Sequence, residues 1–88
     1  MTELVDMLVE IEQNINSKVY SPELADELRV RLVRANTILK RIVEENADAL
    51  RNLGMAEEAT ACEEGGAFLE KFIANLLLRV RAKGEQCH

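Results

Sequence analysis

Apolar residues recur along the first part of the chain at intervals of three and four positions. This spacing places them on one face of an α-helix. We predict a first helix over about residues 2–19, with Thr2 able to cap its N-terminus. The apolar residues of this face are Leu4, Leu8, Ile11 and Ile15.

A second helix is predicted over residues 22–53. Ser21 is a suitable N-cap, and Pro22 occupies the first helical position, where its missing N–H is not needed. The 4-3 spacing then continues for almost four heptads, which favours a seam packed against another helix. An alternative is a break within Glu45–Asp48, where Asn46 or Asp48 could cap a new helix. The seam positions are Leu28, Leu32, Ala35, Leu39, Ile42, Asn46, Ala49 and Leu53.

A third helix is predicted over residues 55–83, after Gly54 closes the second helix and before a tail at 84–88. The repeat passes through Gly65–Gly66 without a change of phase, so we expect both glycines inside the helix, with Gly66 at a close approach of two backbones. The alternative is a kink at Gly65 and a separate helix from Ala67. The repeat positions are Met55, Ala59, Cys62, Gly66, Leu69, Ile73, Leu76 and Val80.

These elements predict an all-α fold in which helices 2 and 3 form a long antiparallel hairpin with coiled-coil spacing. Helix 1 is too short to cover more than one end, and leaves the region around residues 40–66 as a two-helix hairpin. Such a hairpin buries little apolar surface, so we expect a homodimer that completes a bundle, with Asn46 fixing the register. The predicted dimer seam is Ile42, Asn46, Ala49, Leu53, Met55, Ala59, Cys62, Gly66 and Leu69.

The 88 residues carry a formal net charge of −5, and the charges are segregated along the chain. Between residues 44 and 64, Arg51 is the one basic residue. We refer to the acids of this region as the acidic tip, and expect it either to keep the protein soluble or to bind a basic surface of a partner protein. Its members are Glu44, Glu45, Asp48, Glu57, Glu58, Glu63 and Glu64.

A basic cluster is expected at the other end of the hairpin. The acidic residues of helix 1 can neutralise it, in which case its role is internal. The alternatives are a nucleic-acid-associated regulator that uses this cluster, or a small helical enzyme that acts on an anionic substrate. Aromatic residues do not interleave the basic positions, which argues against a nucleic-acid site. The cluster consists of Arg29, Arg31, Arg34, Arg79 and Arg81.

Catalytic, cofactor-binding and metal-binding residues are not predicted. The single histidine is His88, so a histidine-based site cannot be built on a helix, and Cys87–His88 alone is too small a ligand set for a metal. Cys62 is expected as a small buried apolar residue rather than a reactive thiol. The acidic start of the chain and its short apolar runs argue against export and membrane insertion. We therefore expect a cytoplasmic, non-enzymatic interaction protein, such as an inhibitor, an anti-activator or a chaperone-like adaptor.

Overall fold

The computed structural model describes residues 2–17 and 21–86 of the chain. These residues form three α-helices and no strand, which confirms the all-α prediction: α1 is Thr2–Ile15, α2 is Pro22–Asn52 and α3 is Ala56–Gln86. Helix α2 passes through residues 45–48 and α3 passes through Gly65–Gly66 without interruption. Both helices are therefore continuous, as predicted, and neither of the alternative breaks occurs.

Two helix ends differ from those expected. Helix α1 ends at Ile15 rather than near residue 19, and the following Ser17 N–H donates to the carbonyl of Asn14 at 3.2 Å in a tightened last turn. Asn and Ser side chains compete for backbone hydrogen bonds, which explains the early end. Helix α3 continues past Lys83 to Gln86, so Gly84 does not terminate it. The side chain of Thr2 and residues 18–20, 87 and 88 lie outside the described part.

The start of α2 and the turn into α3 follow from local chemistry. The Ser21 hydroxyl accepts a hydrogen bond from the Leu24 N–H at 3.1 Å, as an N-cap does, with Pro22 next to it. At the other end Gly54 adopts a φ of 78°, a left-handed conformation that favours glycine. The Gly54 N–H donates to Arg51 O at 3.0 Å and the Met55 N–H to Leu50 O at 2.9 Å. This pair of bonds is a Schellman motif, and it reverses the chain within three residues.

The hydrophobic core occupies the half of the hairpin that α1 covers. Each of the two long helices has 31 residues and α1 has 14, so at 1.5 Å per residue α1 spans less than half of the hairpin. The molecule is accordingly elongated, measuring 54 × 18 × 16 Å. The buried core residues are Leu4, Leu8, Ile11, Ile15, Leu28, Leu32, Ala35, Leu39, Ile73, Leu76 and Val80.

The remaining half of the hairpin, residues 40–52 of α2 and 56–69 of α3, is called the free half below. Its fully buried residues in the described chain are small: Ala47, Ala59 and Gly66. A two-helix hairpin packed on such side chains buries little apolar surface. The free half therefore depends on the three-helix half for its stability.

The buried stripe of α2 changes its spacing where the free half begins. The repeat continues from Leu39 to Ile42 and Asn46, but the residue that becomes buried against α3 is Ala47, and Asn46 is exposed. The stripe thus advances by eleven residues over three turns from Leu39 to the partly buried Leu50. An eleven-residue period of about 3.67 residues per turn fits a nearly straight helix better than a left-handed supercoil.

Candidate interaction surfaces

The basic end of the hairpin is largely used to hold α1. The Arg79 guanidinium donates to Glu12 Oε2 at 3.2 Å and to Asn16 Oδ1 at 2.9 Å, and Arg31 lies 3.8 Å from Glu10. These contacts tie the acidic side of α1 to both long helices.

Lys83 holds the C-terminal end of the same helix. Its ammonium group donates to the backbone carbonyl oxygens of Ile15 and Ser17. A cation placed at the last carbonyls of a helix satisfies groups that have no helical partner and complements the helix dipole. Together these contacts favour the internal role for the basic cluster over a surface that binds nucleic acid or an anionic substrate.

Two further arginines of the predicted cluster lie on the exposed surface of α2. Arg29 pairs with Asp26 at 2.9 Å, three residues earlier on the same helix. Arg34 is exposed and has no ion pair within the described residues. Exposed pairs of this kind contribute little to stability.

The predicted dimer seam divides into two sets in the structure. Ala59 and Gly66 are buried inside the hairpin, whereas the others are partly or fully exposed. Asn46 donates from Nδ2 to the carbonyl of Ile42 at 2.7 Å, a bond within its own helix. By helical periodicity the exposed members continue the face that α1 covers further down. We call this set the open face: Ile42, Asn46, Ala49, Leu53, Met55, Cys62 and Leu69.

Large apolar side chains remain exposed around the open face. Leu53 is 74% exposed and Phe68 is 71% exposed, and Met55 is exposed to a smaller extent. Phe68 was not among the predicted site residues, although it precedes Leu69 and continues the line of Phe72 by one turn. Gly65 has nothing within 4 Å of the position that a Cβ atom would take, so this part of the surface is open.

The acidic tip is partly neutralised from within. Arg51 donates to both carboxylate oxygens of Glu63 across the hairpin, and Arg41 lies 3.8 Å from Glu45 one turn along α2. The hydrogen bond from Arg51 and its charge lower the pKa of Glu63, while the same bond raises the pKa of Arg51. The remaining acids of the tip have no ion pair within the described residues: Glu44, Asp48, Glu57, Glu58 and Glu64.

A groove with a volume of about 330 Å³ runs between α2 and α3 on the side of the hairpin away from the open face. Its apolar lining is Leu39, Val43, Gly66 and Ala67, and its polar lining is Lys40, Glu44, Glu63 and Glu70. This groove was not predicted from the sequence. The signal available was Gly66 followed by Ala67, two adjacent small residues on α3, of which Gly66 packs against Val43.

Potential metal ligands are scattered among the described residues. No three His, Cys, Asp or Glu side chains there lie close enough together to hold a metal ion. Cys62 is a free, partly buried thiol, and Cys87 and His88 fall outside the described part of the chain. None of the described helices combines the length and apolar character needed to cross a membrane.

Comparison with protein-family models, with curated proteins and with solved structures found no match for this chain.

Proposed function

We propose that this protein is a small cytoplasmic, non-enzymatic interaction module that regulates a partner protein by binding a basic surface through the acidic tip. The observation that supports this proposal is the charge surplus of the free half. Five carboxylates project from it without an ion pair in the described residues, and α1 with its surrounding cations lies at the opposite end. A surface of one sign accelerates encounter with a partner of the opposite sign and makes binding sensitive to salt.

Charge reversal in the free half tests the proposal. The variant Asp48→Lys/Glu64→Lys changes two exposed acids in the interior of helices, of which Glu64 has no ion pair in the described residues and Asp48 interacts with Arg51 through its charge alone. The matched control Asp6→Lys/Glu27→Lys makes the same change in net charge on exposed, unpaired acids of the other half. A partner captured from a host lysate should dissociate from the first variant at lower salt than from the parent protein. It should dissociate from the control variant at the same salt as from the parent protein. Equal release by both variants would contradict a role for the acidic tip.

We further propose that two copies pair through the open face. The exposed apolar side chains of Leu53 and Phe68, beside a hairpin with few large buried residues, support this pairing. Association through this face would complete a four-helix arrangement around the free half, as closed two-fold dimers do. Sedimentation equilibrium at high micromolar concentration should give a mass near two chains. A mass of one chain would overturn the dimer and leave the binding role of the acidic tip standing.

A further inference from the structure

The groove between α2 and α3 combines an apolar floor with a carboxylate rim. The Val43 side chain packs directly onto Gly66, which closes the floor between the two helices, and the exposed Ala67 adds only a single methyl group on the α3 side. Leu39 completes the apolar lining on the α2 side. At about 330 Å³ the groove lies at the small end of the range for ligand pockets, which is roughly 300–1,000 Å³. Its size therefore fits one long side chain better than a larger molecule.

The rim carries three carboxylates and one ammonium group. Glu63 is oriented by its two hydrogen bonds from Arg51, whereas Glu70 is 3.9 Å from the Lys40 ammonium, which is longer than a hydrogen bond. Glu44 has no ion pair among the described residues. The groove thus offers one carboxylate held in position and two whose hydrogen-bonding capacity is largely unused.

We propose that this groove seats an arginine side chain of the partner's basic surface. The inference rests on the proposed function and names the group that the acidic tip recognises. The aliphatic part of an arginine packs along apolar surface while its charged head stays at the rim. The planar guanidinium donates five N–H groups and binds carboxylates in a bidentate manner, which suits several carboxylates around one opening better than the compact ammonium of lysine does.

The experiment uses a defined probe because the partner is not identified. A fluorescein-labelled helical peptide with one central arginine among lysine and alanine residues is titrated with the full-length protein. The matched peptide has citrulline at the centre, which keeps the shape and removes the charge. We expect the citrulline peptide to bind about tenfold more weakly, as loss of a charge-assisted hydrogen bond implies. A peptide with lysine at the centre should fall between the two.

Protein variants locate the binding site. Glu44→Gln removes a rim charge, and Ala67→Leu fills the floor from an exposed helix position, so each should weaken the arginine peptide about tenfold while leaving helix content unchanged. The controls Asp48→Asn and Glu64→Gln remove the same charge outside the groove and should change affinity less than threefold. In heteronuclear spectra of the protein, the amides of Val43, Gly66 and Ala67 should shift with the arginine peptide.

Several results would overturn the inference. Equal binding of the arginine, lysine and citrulline peptides, or equal losses in groove and control variants, would show that the tip binds by overall charge, and the proposed function would then survive without the groove. Shifts of the groove amides on concentrating the protein alone would assign the groove to a second copy. Failure of every basic peptide to bind would reject the groove as an arginine site, while the charge-reversal variants and the captured partner would still decide the proposed function separately.

Discussion

The two adjacent glycines of α3 have different surroundings. A Cβ atom on Gly66 would lie 2.5 Å from Val43 Cγ2, whereas a Cβ atom on Gly65 would meet nothing within 4 Å. Gly66 therefore marks the close approach that the sequence predicted, although the group it approaches is a side chain of α2 rather than its backbone. Gly65 costs helix stability without a packing benefit inside the chain.

This difference predicts opposite effects of the same substitution. Gly65→Ala should stabilise the protein by up to about 1 kcal/mol through better helix propensity. Gly66→Ala should destabilise it by about 1–2 kcal/mol, because the new methyl group overlaps the branched Val43 side chain, which is stiff in a helix. Urea unfolding at low protein concentration measures both. Val43→Ala in the Gly66→Ala background should recover part of the loss, and absence of that recovery would place the strain elsewhere.

The Arg51–Glu63 pair predicts a pH dependence with a defined sign. Hydrogen bonding and charge from Arg51 lower the pKa of Glu63 below its ordinary value. The stabilisation is complete above the unfolded-state value of about 4.3, and it is lost as pH falls through the lowered folded-state pKa. Carboxyl NMR titration should show Glu63 protonating at lower pH in the parent protein than in Arg51→Gln, because the variant lacks the hydrogen bond and charge that lower its pKa. A Glu63 that still titrates low in Arg51→Gln would assign the shift to another cause.

At the scale of whole elements, regular spacing and local chemistry predicted the helices, and packing decided the details. Ser21–Pro22 and Gly54 mark their helix ends through hydrogen bonds to nearby residues, so sequence alone located them. Asn46 and Ala47 are adjacent, and which of them is buried depends on the path of α3 alongside α2. The heptad count selected Asn46, while the structure buries Ala47. The groove depends on the same long-range packing and was not predictable from spacing.

The change of spacing in α2 predicts unequal roles for these neighbours. Ala47→Asn should destabilise the hairpin by about 1–3 kcal/mol, because it places a polar group without a partner in a buried position. Asn46→Ala should raise stability by a few tenths of a kcal/mol, since Asn46 is exposed and alanine is the better helix former. Thermal unfolding of the two variants is the measurement. If Asn46→Ala were the destabilising change and Ala47→Asn were not, the heptad register would continue through the free half with Asn46 in the buried position.

At the scale of the whole molecule, one half holds the structure and the other half presents surfaces. Helix α1 completes the three-helix half, where its acidic residues form ion pairs with Arg31 and Arg79. The free half carries the open face on one side, the groove on the other and unpaired acids around both. This division matches the helix lengths: each hairpin helix has 31 residues, and α1, which covers one half of the hairpin, has 14. The proposed pairing of two copies and the proposed binding of a basic partner would use different sides of that half.

The two proposed associations should respond to salt in opposite directions. Binding of a basic partner is an attraction between opposite charges, so it should weaken as the Debye length falls from about 10 Å at 0.1 M salt to about 3 Å at 1 M. Pairing of two copies brings two acidic tips together, so screening should reduce their repulsion and strengthen the dimer. Sedimentation at several salt concentrations measures the dimer, and titration of the arginine peptide measures partner binding.

The variant Asp48→Asn/Glu64→Gln separates charge from other effects of salt. With two acids neutralised, the variant should form a tighter dimer than the parent protein at 0.1 M salt. Raising the salt to 1 M should increase the affinity of the variant dimer less than that of the parent dimer. Its affinity for the arginine peptide should fall only slightly, because the groove carboxylates are retained. A dimer that tightens equally in both proteins would attribute the salt effect to apolar burial rather than to tip repulsion. A dimer that weakens with salt would show that pairing depends on attraction between unlike charges of the two copies.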